Sequence, residues 1–509
     1  MGGPLAVATV LLLGAFEGEQ QLNLDVGNTD QGAPDIAARP GLAAWVVYGS
    51  NAAGDYDVYF TCTSNGGASG SWSTPTRIVS GAGDQGFPRI ASSIDGADVR
   101  VHVAWRNVVP AGGTEGDVGY AIFRAPLTSP CALTAETSPF VADDLDDQSF
   151  LEMDVGFDGT AYLTWRECPA AVACSTASGY RVEVGTFAPG GGGFSSISDL
   201  TETPSSFDPD VAVLGTTTNS VLWVVFARPG GDGSLDVAAR WSTNAGLTFS
   251  SSVFYGAGAT DVRDPTIAAT GPEKALLAHI TGTQLEARLL RRTPTGISST
   301  APVPVSATAS AFAPHVSALD RTGHALLGWE SGFDVYAALT TDTGATWSQQ
   351  GPIGTTVRNQ TNARGALGSA FLVYQSDQDQ PNRLESFFTR DVSVTAVLAS
   401  GFVARESRTG VELSWSLGVP ALVAEVALAR DGVPVAIEER SRALDEDGRA
   451  GDRYLLRVTG IDGSVQELTA IASHGPAAGC AAGEGSPGAS LLALLVLACR
   501  RRGGVCSRR

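Results

Sequence analysis

Hydrophobic residues in this chain come in short bursts, alternating or continuous over a strand's length, each bounded by Gly, Pro, Asp, Asn or Ser. No helical periodicity links the bursts, so the pattern predicts β-strands throughout. A polar phrase introduces them at intervals of about 50 to 60 residues, the size of one propeller blade. Its first copies read Asp30-Gln31-Gly32-Ala33-Pro34-Asp35-Ile36-Ala37 and Asp84-Gln85-Gly86-Phe87-Pro88-Arg89-Ile90-Ala91. A third runs from Asp147 to Asp154, with Gln148, Phe150 and Glu152 in register. Weaker copies start at Asp208, Asp264 and Ala313, and a degraded seventh spans Asn359 to Arg364. An apolar strand ending in an aromatic follows most copies, at Trp45, Trp105, Trp165, Trp223, Trp329 and Tyr374. A third strand comes next, often opening on Asp-Val, as at Asp57, Asp117, Asp236 and Asp334. Three or four strands per repeat predict an all-β protein whose residues 20–395 form a β-propeller, seven blades preferred over six. The segment Leu22 to Val26 is expected to close the ring by pairing into the last blade, since the first and last sheets would otherwise be free to separate.

The turn after the third strand carries a more specific signal. Thr340, Asp342, Gly344 and Trp347 stand in the order Thr-x-Asp-x-Gly-x-Thr-Trp, and Ser242, Asn244, Gly246 and Phe249 repeat it with Asn for Asp and Phe for Trp. Ser64-Asn65-Gly66-Gly67, reaching Trp72, is a poorer third copy. This motif resembles the Asp-box of sialidase-like (BNR) propellers. Its chemistry is local: the Asx side chain serves nearby amides, Gly takes a positive φ, and the aromatic packs between sheets. These eight residues are therefore expected to be structural.

From about residue 397 the pattern changes. Gly410 to Trp415, Ala424 to Gly432 and Arg453 to Val458 resemble strands B, C and F of a fibronectin type III-like sandwich, with Trp415 and Tyr454 where that family puts its core aromatics. The resemblance covers residues 397–473 and implies a spacer or docking module.

Composition sets the compartment. With 33 basic and 53 acidic residues the chain carries a formal charge of −20, which argues against a nucleic-acid partner. Pro4 to Phe16 is an apolar run of signal-peptide length, so residues 1–19 are expected to direct export. At the other end, residues 474–509 contain Gly479-Cys480, the apolar run Ala489 to Cys499 and the cluster Arg500-Arg501-Arg502. That run is well short of the ~20 residues a spanning helix needs. The tail resembles the MYXO-CTERM sorting signals of myxobacterial surface proteins. The resemblance implies cleavage by a sorting protease near Cys480 and anchoring of the processed C-terminus to the membrane at the outer cell surface. Of the seven cysteines, Cys480, Cys499 and Cys506 belong to this tail. Cys168 and Cys174 flank a short turn and suit a local disulfide in an oxidising compartment. Cys62 and Cys131 would pair only if their blades bring them together. No CxxC, His cluster or metal-ligand spacing is present, and no cofactor is called for. The acidic run Asp143 to Asp147 lacks an EF-hand spacing and reads as solvated loop charge rather than a Ca²⁺ site.

Aligning the seven phrases puts Asp35, Arg89, Glu152, Asp210, Thr266, His315 and Arg364 at one equivalent position, where each first strand would line the central channel. Such a ring would hold a sugar through charge-assisted hydrogen bonds, or its members would satisfy one another. Resemblance to sialidases implies three arginines on a substrate carboxylate, a Tyr-Glu nucleophile pair and an Asp acid. Arg89, Glu152, Asp210 and Arg364 are the candidates for catalysis, with Arg263 or Arg358 as further cations. The phrase Phe87-Pro88-Arg89-Ile90 departs from that family's Phe-Arg-Ile-Pro order, and no residue assigns itself as the nucleophilic Tyr. Three readings follow: a non-catalytic module binding an extracellular glycan or protein, an exo-acting glycosidase of sialidase type, or a structural coat protein. The weak motifs favour the first.

Overall fold

The computed structural model describes residues between 20 and 473, leaving out 1–19, 474–509 and short internal stretches such as 23–30, 109–115, 377–384 and 391–398. The expected leader, the tail with Cys480, Arg358 and residues 143–145 of the acidic run lie outside the described residues.

Every regular element named among the described residues is a β-strand. Up to Arg390 they form seven antiparallel sheets of four or five strands, one per copy of the phrase. The inner strands are Gln31–Arg39, Asp84–Asp95, Asp147–Val155, Phe207–Val213, Val262–Gly271, Ala311–Ala318 and Gln360–Gly365. Successive inner strands lie side by side and the last lies beside the first, which closes the ring of a β-propeller. The sheets are called blades 1 to 7 in chain order.

The core is not one mass but a seam between each pair of neighbouring blades. Trp45 and Phe60 of blade 1 pack with Val101 and Trp105 of blade 2. Equivalent clusters fill the next seams around the ring, one of them joining Val373 and Phe388 of blade 7 to Ile36 and Tyr48 of blade 1. The second-strand tryptophans are buried to 1 % exposure or less because each stands between two sheets.

Ring closure uses the chain's N-terminal side. Gln20–Gln21 pairs antiparallel with the third strand of blade 7, Glu385–Arg390, as its outermost strand. The Leu22 amide donates to Ser386 O at 3.0 Å, and the Leu22 side chain enters the seam between blades 7 and 1. The expected closing segment therefore acts from Gln20 to Leu22, and residues 23–26 lie outside the described set.

The repeated phrase is a bulge. Each inner strand breaks register between the residue pair Gly32/Asp35 and its equivalents, Gly86/Arg89, Ser149/Glu152, Phe207/Asp210, Arg263/Thr266, Phe312/His315 and Thr361/Arg364. Within the bulge Ala33, Phe87, Phe150, Asp208, Asp264 and Ala313 sit at φ between 46° and 53°. Proline follows in five of these copies, at Pro34, Pro88, Pro209, Pro265 and Pro314, where no ladder donor is needed. The extra residue turns the next side chain, the ring position, toward the channel.

Both Asp-box copies act as staples. Asp342 Oδ1 accepts from the Thr346 amide at 2.8 Å and from Thr340 Oγ1 at 2.9 Å, and Thr340 Oγ1 accepts from the Gly344 amide at 2.9 Å. The copy on blade 4 makes the same bonds through Asn244 and Ser242, and it grips blade 3: Thr186 Oγ1 donates to Ala245 O and Ser198 Oγ to Gly246 O. Trp347 and Phe249 pack against seam clusters. Two disulfides add covalent ties. Cys168–Cys174 closes the turn of blade 3 as expected, and Cys62–Cys131 joins blades 1 and 2.

After the propeller come a three-stranded sheet (Ala399–Glu406, Val411–Leu417, Arg442–Asp445) and a four-stranded sheet (Val433–Val435, Val423–Arg430, Arg453–Gly460, Val465–Ile471). They share one core that contains Leu413, Trp415, Leu456 and Tyr454. The buried Tyr454 hydroxyl donates to Asp445 Oδ2 at 2.9 Å, which also receives Arg430 at 2.9 Å.

Candidate functional site

The bulges bring all seven ring residues to the channel, as the aligned phrases require. What they do there is mostly to hold one another. Glu152 of blade 3 lies between two guanidinium groups and accepts two bonds from each. Arg89 reaches it with Nε at 2.9 Å and Nη2 at 3.1 Å, and Arg364 with Nη1 at 2.9 Å and Nη2 at 2.7 Å. Arg364 stands on blade 7, so this bridge crosses the channel past blade 1. Burial pushes the Glu152 carboxyl up, but the two cations outweigh it and bring it down to about 2. The same pairing holds Arg364 protonated well above its ordinary range, against the opposing effect of burial.

The other members bind the amide of the next blade. Asp35 accepts from its own neighbour Ile36 and from the Ile90 amide of blade 2, both at 2.9 Å. Asp210 accepts from Val211 at 2.7 Å and, on its second oxygen, from Thr266 Oγ1 and the Ile267 amide of blade 5 at 2.8 Å. Thr266 Oγ1 in turn accepts from the Val316 amide of blade 6 at 3.1 Å, and His315 Nδ1 faces the Gly365 amide of blade 7 at 3.4 Å. At these junctions one polar side chain thus satisfies an amide on the free, channel-facing edge of the next inner strand. The pattern breaks at the junctions where Arg89, Glu152 and Arg364 form the ionic bridge instead.

Burial governs the remaining titrations. Asp35 is raised by burial despite Arg89 and Arg364 nearby. Asp210 is pushed up to about 7 by burial and then by the Glu152 charge. His315 falls to about 3 because burial and Arg364 both oppose its cation, so it is neutral.

Below the ring the channel is lined by small apolar residues, Ala37, Ala91, Ala268 and Ala318 among them, around a cavity of about 90 Å³. Ligand pockets run to roughly 300 Å³ or more, and a water takes about 30 Å³, so this space suits a few waters rather than a sugar. Two polar residues of this lower level stand outside the aligned ring position, Asp154 where the first two copies have Ala37 and Ala91, and Arg39 beyond the phrase. Asp154, raised to about 6 by burial, accepts from Val155 and from the Val213 amide of blade 4 at 2.8 Å, and Arg39 of blade 1 donates to Ser92 of blade 2. They repeat the junction bond one turn of the pleat deeper. Among the described residues no group of three or more His, Cys, Asp or Glu side chains could hold a metal ion. No helix among them is long and apolar enough to cross a membrane.

Of the further cations, Arg263 is turned away from the bridge and pairs with its neighbour Asp264 at 3.2 Å. Of the three ring carboxylates that could serve as a glycosidase acid and base, Glu152, Asp35 and Asp210, the pair Glu152 and Asp210 does differ in proton affinity. Yet all four of their oxygens already accept hydrogen bonds from this chain.

No protein-family model matches the chain, and no curated protein sequence matches it. Among solved structures it is similar to Hadza microbial sialidase Hz136, with a TM-score of 0.41 and 11 % identity over 69 % of this chain and 76 % of that one. It is similar also to Trypanosoma rangeli sialidase in complex with sialic acid (TM-score 0.39, 9 % identity, 90 % and 87 % of the two chains). A third is Penicillium chrysogenum α-L-arabinanase complexed with arabinobiose (TM-score 0.37, 14 % identity, 60 % and 93 %). Scores this low leave the functional reading to the side chains described above.

Proposed function

We propose that this chain is an exported recognition protein, tethered to the outer cell surface through its processed C-terminus, whose propeller binds an extracellular glycan or protein without turning it over. The fibronectin III-like module serves as the spacer between propeller and anchor. The observation that supports the non-catalytic reading is the Arg89–Glu152–Arg364 bridge. It occupies with internal bonds the groups that a glycosidase would present to substrate, and it holds Glu152 ionised far below the range of a general acid.

One observation favours the exo-glycosidase alternative. Glu152 at about 2 and Asp210 at about 7 are two carboxyl groups whose environments push them apart, the usual arrangement of a base and an acid. Both readings meet in one experiment: the purified protein is incubated with fluorogenic glycosides, sialosides included, beside the Arg89→Ala/Glu152→Ala variant. No turnover is expected from either. Turnover by the native protein that the variant loses would replace recognition with catalysis. Anchoring is checked by cell fractionation, where Cys480→Ala is expected to move the protein from the envelope to the medium.

A further inference from the structure

On blades 2 to 6 the bulges that aim side chains into the channel also place one residue each on its rim. The position takes a positive φ, and on blades 1 and 6 it holds only an alanine, the buried Ala33 and the exposed Ala313. On blades 2 and 3 the same position holds Phe87 and Phe150, at φ 51° and 53°, with 57 % and 55 % of their surface exposed. A bulky residue in the left-handed region is uncommon, and with more than half of each ring exposed, burial does not account for either phenyl. On blades 4 and 5 the position holds Asp208 and Asp264. The rim therefore has an aromatic side and a carboxylate side on adjacent blades.

Between them stands Arg166, at the same end of blade 3. Its guanidinium lies 4.0 Å from the centre of the Phe150 ring and 4.2 Å from that of Tyr180. Nε donates to Ser149 Oγ at 3.3 Å. The Cys168–Cys174 disulfide ties the turn that leads into Tyr180, which helps to hold this sandwich. Arg166 and Arg263 offset the charges of Asp208 and Asp264. With two cations and two carboxylates the rim is close to neutral, though the chain as a whole is strongly acidic.

We propose that this rim, above the closed channel, binds a neutral sugar unit of a polysaccharide, its C–H face on Phe87 and Phe150 and its hydroxyls on Arg166, Asp208 and Asp264. The assignment rests on the recognition reading above and names its ligand class. Planar rings offer an apolar platform to the ring C–H groups, while the carboxylates and the guanidinium fork bond vicinal hydroxyls. An anionic polymer would meet two carboxylates, and two phenyl rings are too little apolar surface to centre a protein interface of about 800 Å² per partner.

The test is affinity electrophoresis of the full chain through gels containing laminarin, xylan, galactan or dextran, beside alginate and a sialylated polymer. Retardation by at least one neutral polymer is expected, unchanged in 0.5 M NaCl. Phe87→Ala and Phe150→Ala should each weaken it about tenfold, in line with the worth of a stacked ring. Alanine already occupies this position on two blades, so both variants should fold, which far-UV circular dichroism confirms. Leu247→Ser, at an exposed turn on the opposite face, serves as the control. Failure to bind any neutral polymer, binding to anionic polymers alone, or binding that survives both Phe substitutions would overturn the assignment while leaving the recognition reading in place. Turnover of a glycoside would sink that reading even if the rim binds.

Discussion

Replacing Glu152 by Gln is the sharpest perturbation of the channel. The substitution keeps the side chain's volume but removes the carboxylate that is ion-paired with both Arg89 and Arg364, whose side chains are only 10 % and 17 % exposed. The amide also turns an NH₂ toward a guanidinium, so at least one of the four hydrogen bonds to Glu152 becomes a clash of donors. Breaking a buried ion pair from one side costs roughly 3–5 kcal/mol. The lower figure applies here, because Asp35 is close enough to both arginines to take over as counter-ion. A propeller of this length unfolds with an entropy of roughly 0.8 kcal/mol per kelvin, so about 3 kcal/mol lowers Tm by about 4 °C. Differential scanning calorimetry reads that shift, and urea unfolding should show a lower midpoint at an unchanged slope. The companion variant Arg89→Met/Glu152→Met/Arg364→Met fills the same space without charge and should unfold within about 1 kcal/mol of the native protein or later. A Glu152→Gln protein that melts within 1 °C of native would instead show the two arginines solvated and the channel open.

Three further outcomes follow from the geometry. Gly344→Ala should destabilise by about 2 kcal/mol or more, because φ is +81° and a Cβ there would come within 2.6 Å of Leu276 Cδ2; chemical denaturation checks it. Replacing Cys62 and Cys131 together by Ala opens a 69-residue loop and should lower stability by up to about 4 kcal/mol, read by the same method under oxidising conditions. The pH profile follows from signs that oppose one another. Asp210 at about 7 and Asp154 at about 6 lie above their unfolded values, so their contribution is complete below about pH 4 and fades as pH rises through 6 and 7. Glu152 at about 2 lies below its unfolded value, so its contribution is present above about pH 4.5 and is lost as pH falls toward 2. The stability against urea that Asp210→Asn and Asp154→Asn remove should therefore shrink as pH rises from 4 to 7, and the stability that Glu152→Gln removes should shrink as pH falls from 4.5 to 2; differences that stay constant with pH would contradict the burial of Asp210 and Asp154.

The fold was legible because its determinants are local. The Asp-box needs only the residues from Thr340 to Trp347, and the phrase around Pro34 or Pro88 encodes its own bulge. Placing Asp35 through Arg364 at one level needed only an alignment of those phrases. What each would touch was not legible, since Asp35 meets Ile90 and Glu152 meets Arg364 through the curvature of the ring, 55 and 212 residues away in sequence. The Cys62–Cys131 pair is hidden for the same reason. The rim was missed although its signal was present: Phe87 and Phe150 stand in the phrase where other copies have Ala, Asp or Asn, and a phenyl at a turn position is the anomaly. Arg166 gave none, because its stacking partners come from two other strand ends.

The Gln20–Gln21 strand has a consequence for the order in which this molecule can be completed. The first described residues of the chain are the outermost strand of the last blade, so a segment synthesised early has no partner until Glu385–Arg390 arrives. Until then the growing propeller is an open arc with two exposed seams, and contacts this distant in sequence form late. The Cys62–Cys131 bond can fix blades 1 and 2 to each other well before that. Assembly would thus proceed from a covalently braced first pair of blades toward a final latch, and a chain stopped anywhere before blade 7 would keep a sticky edge for its whole lifetime.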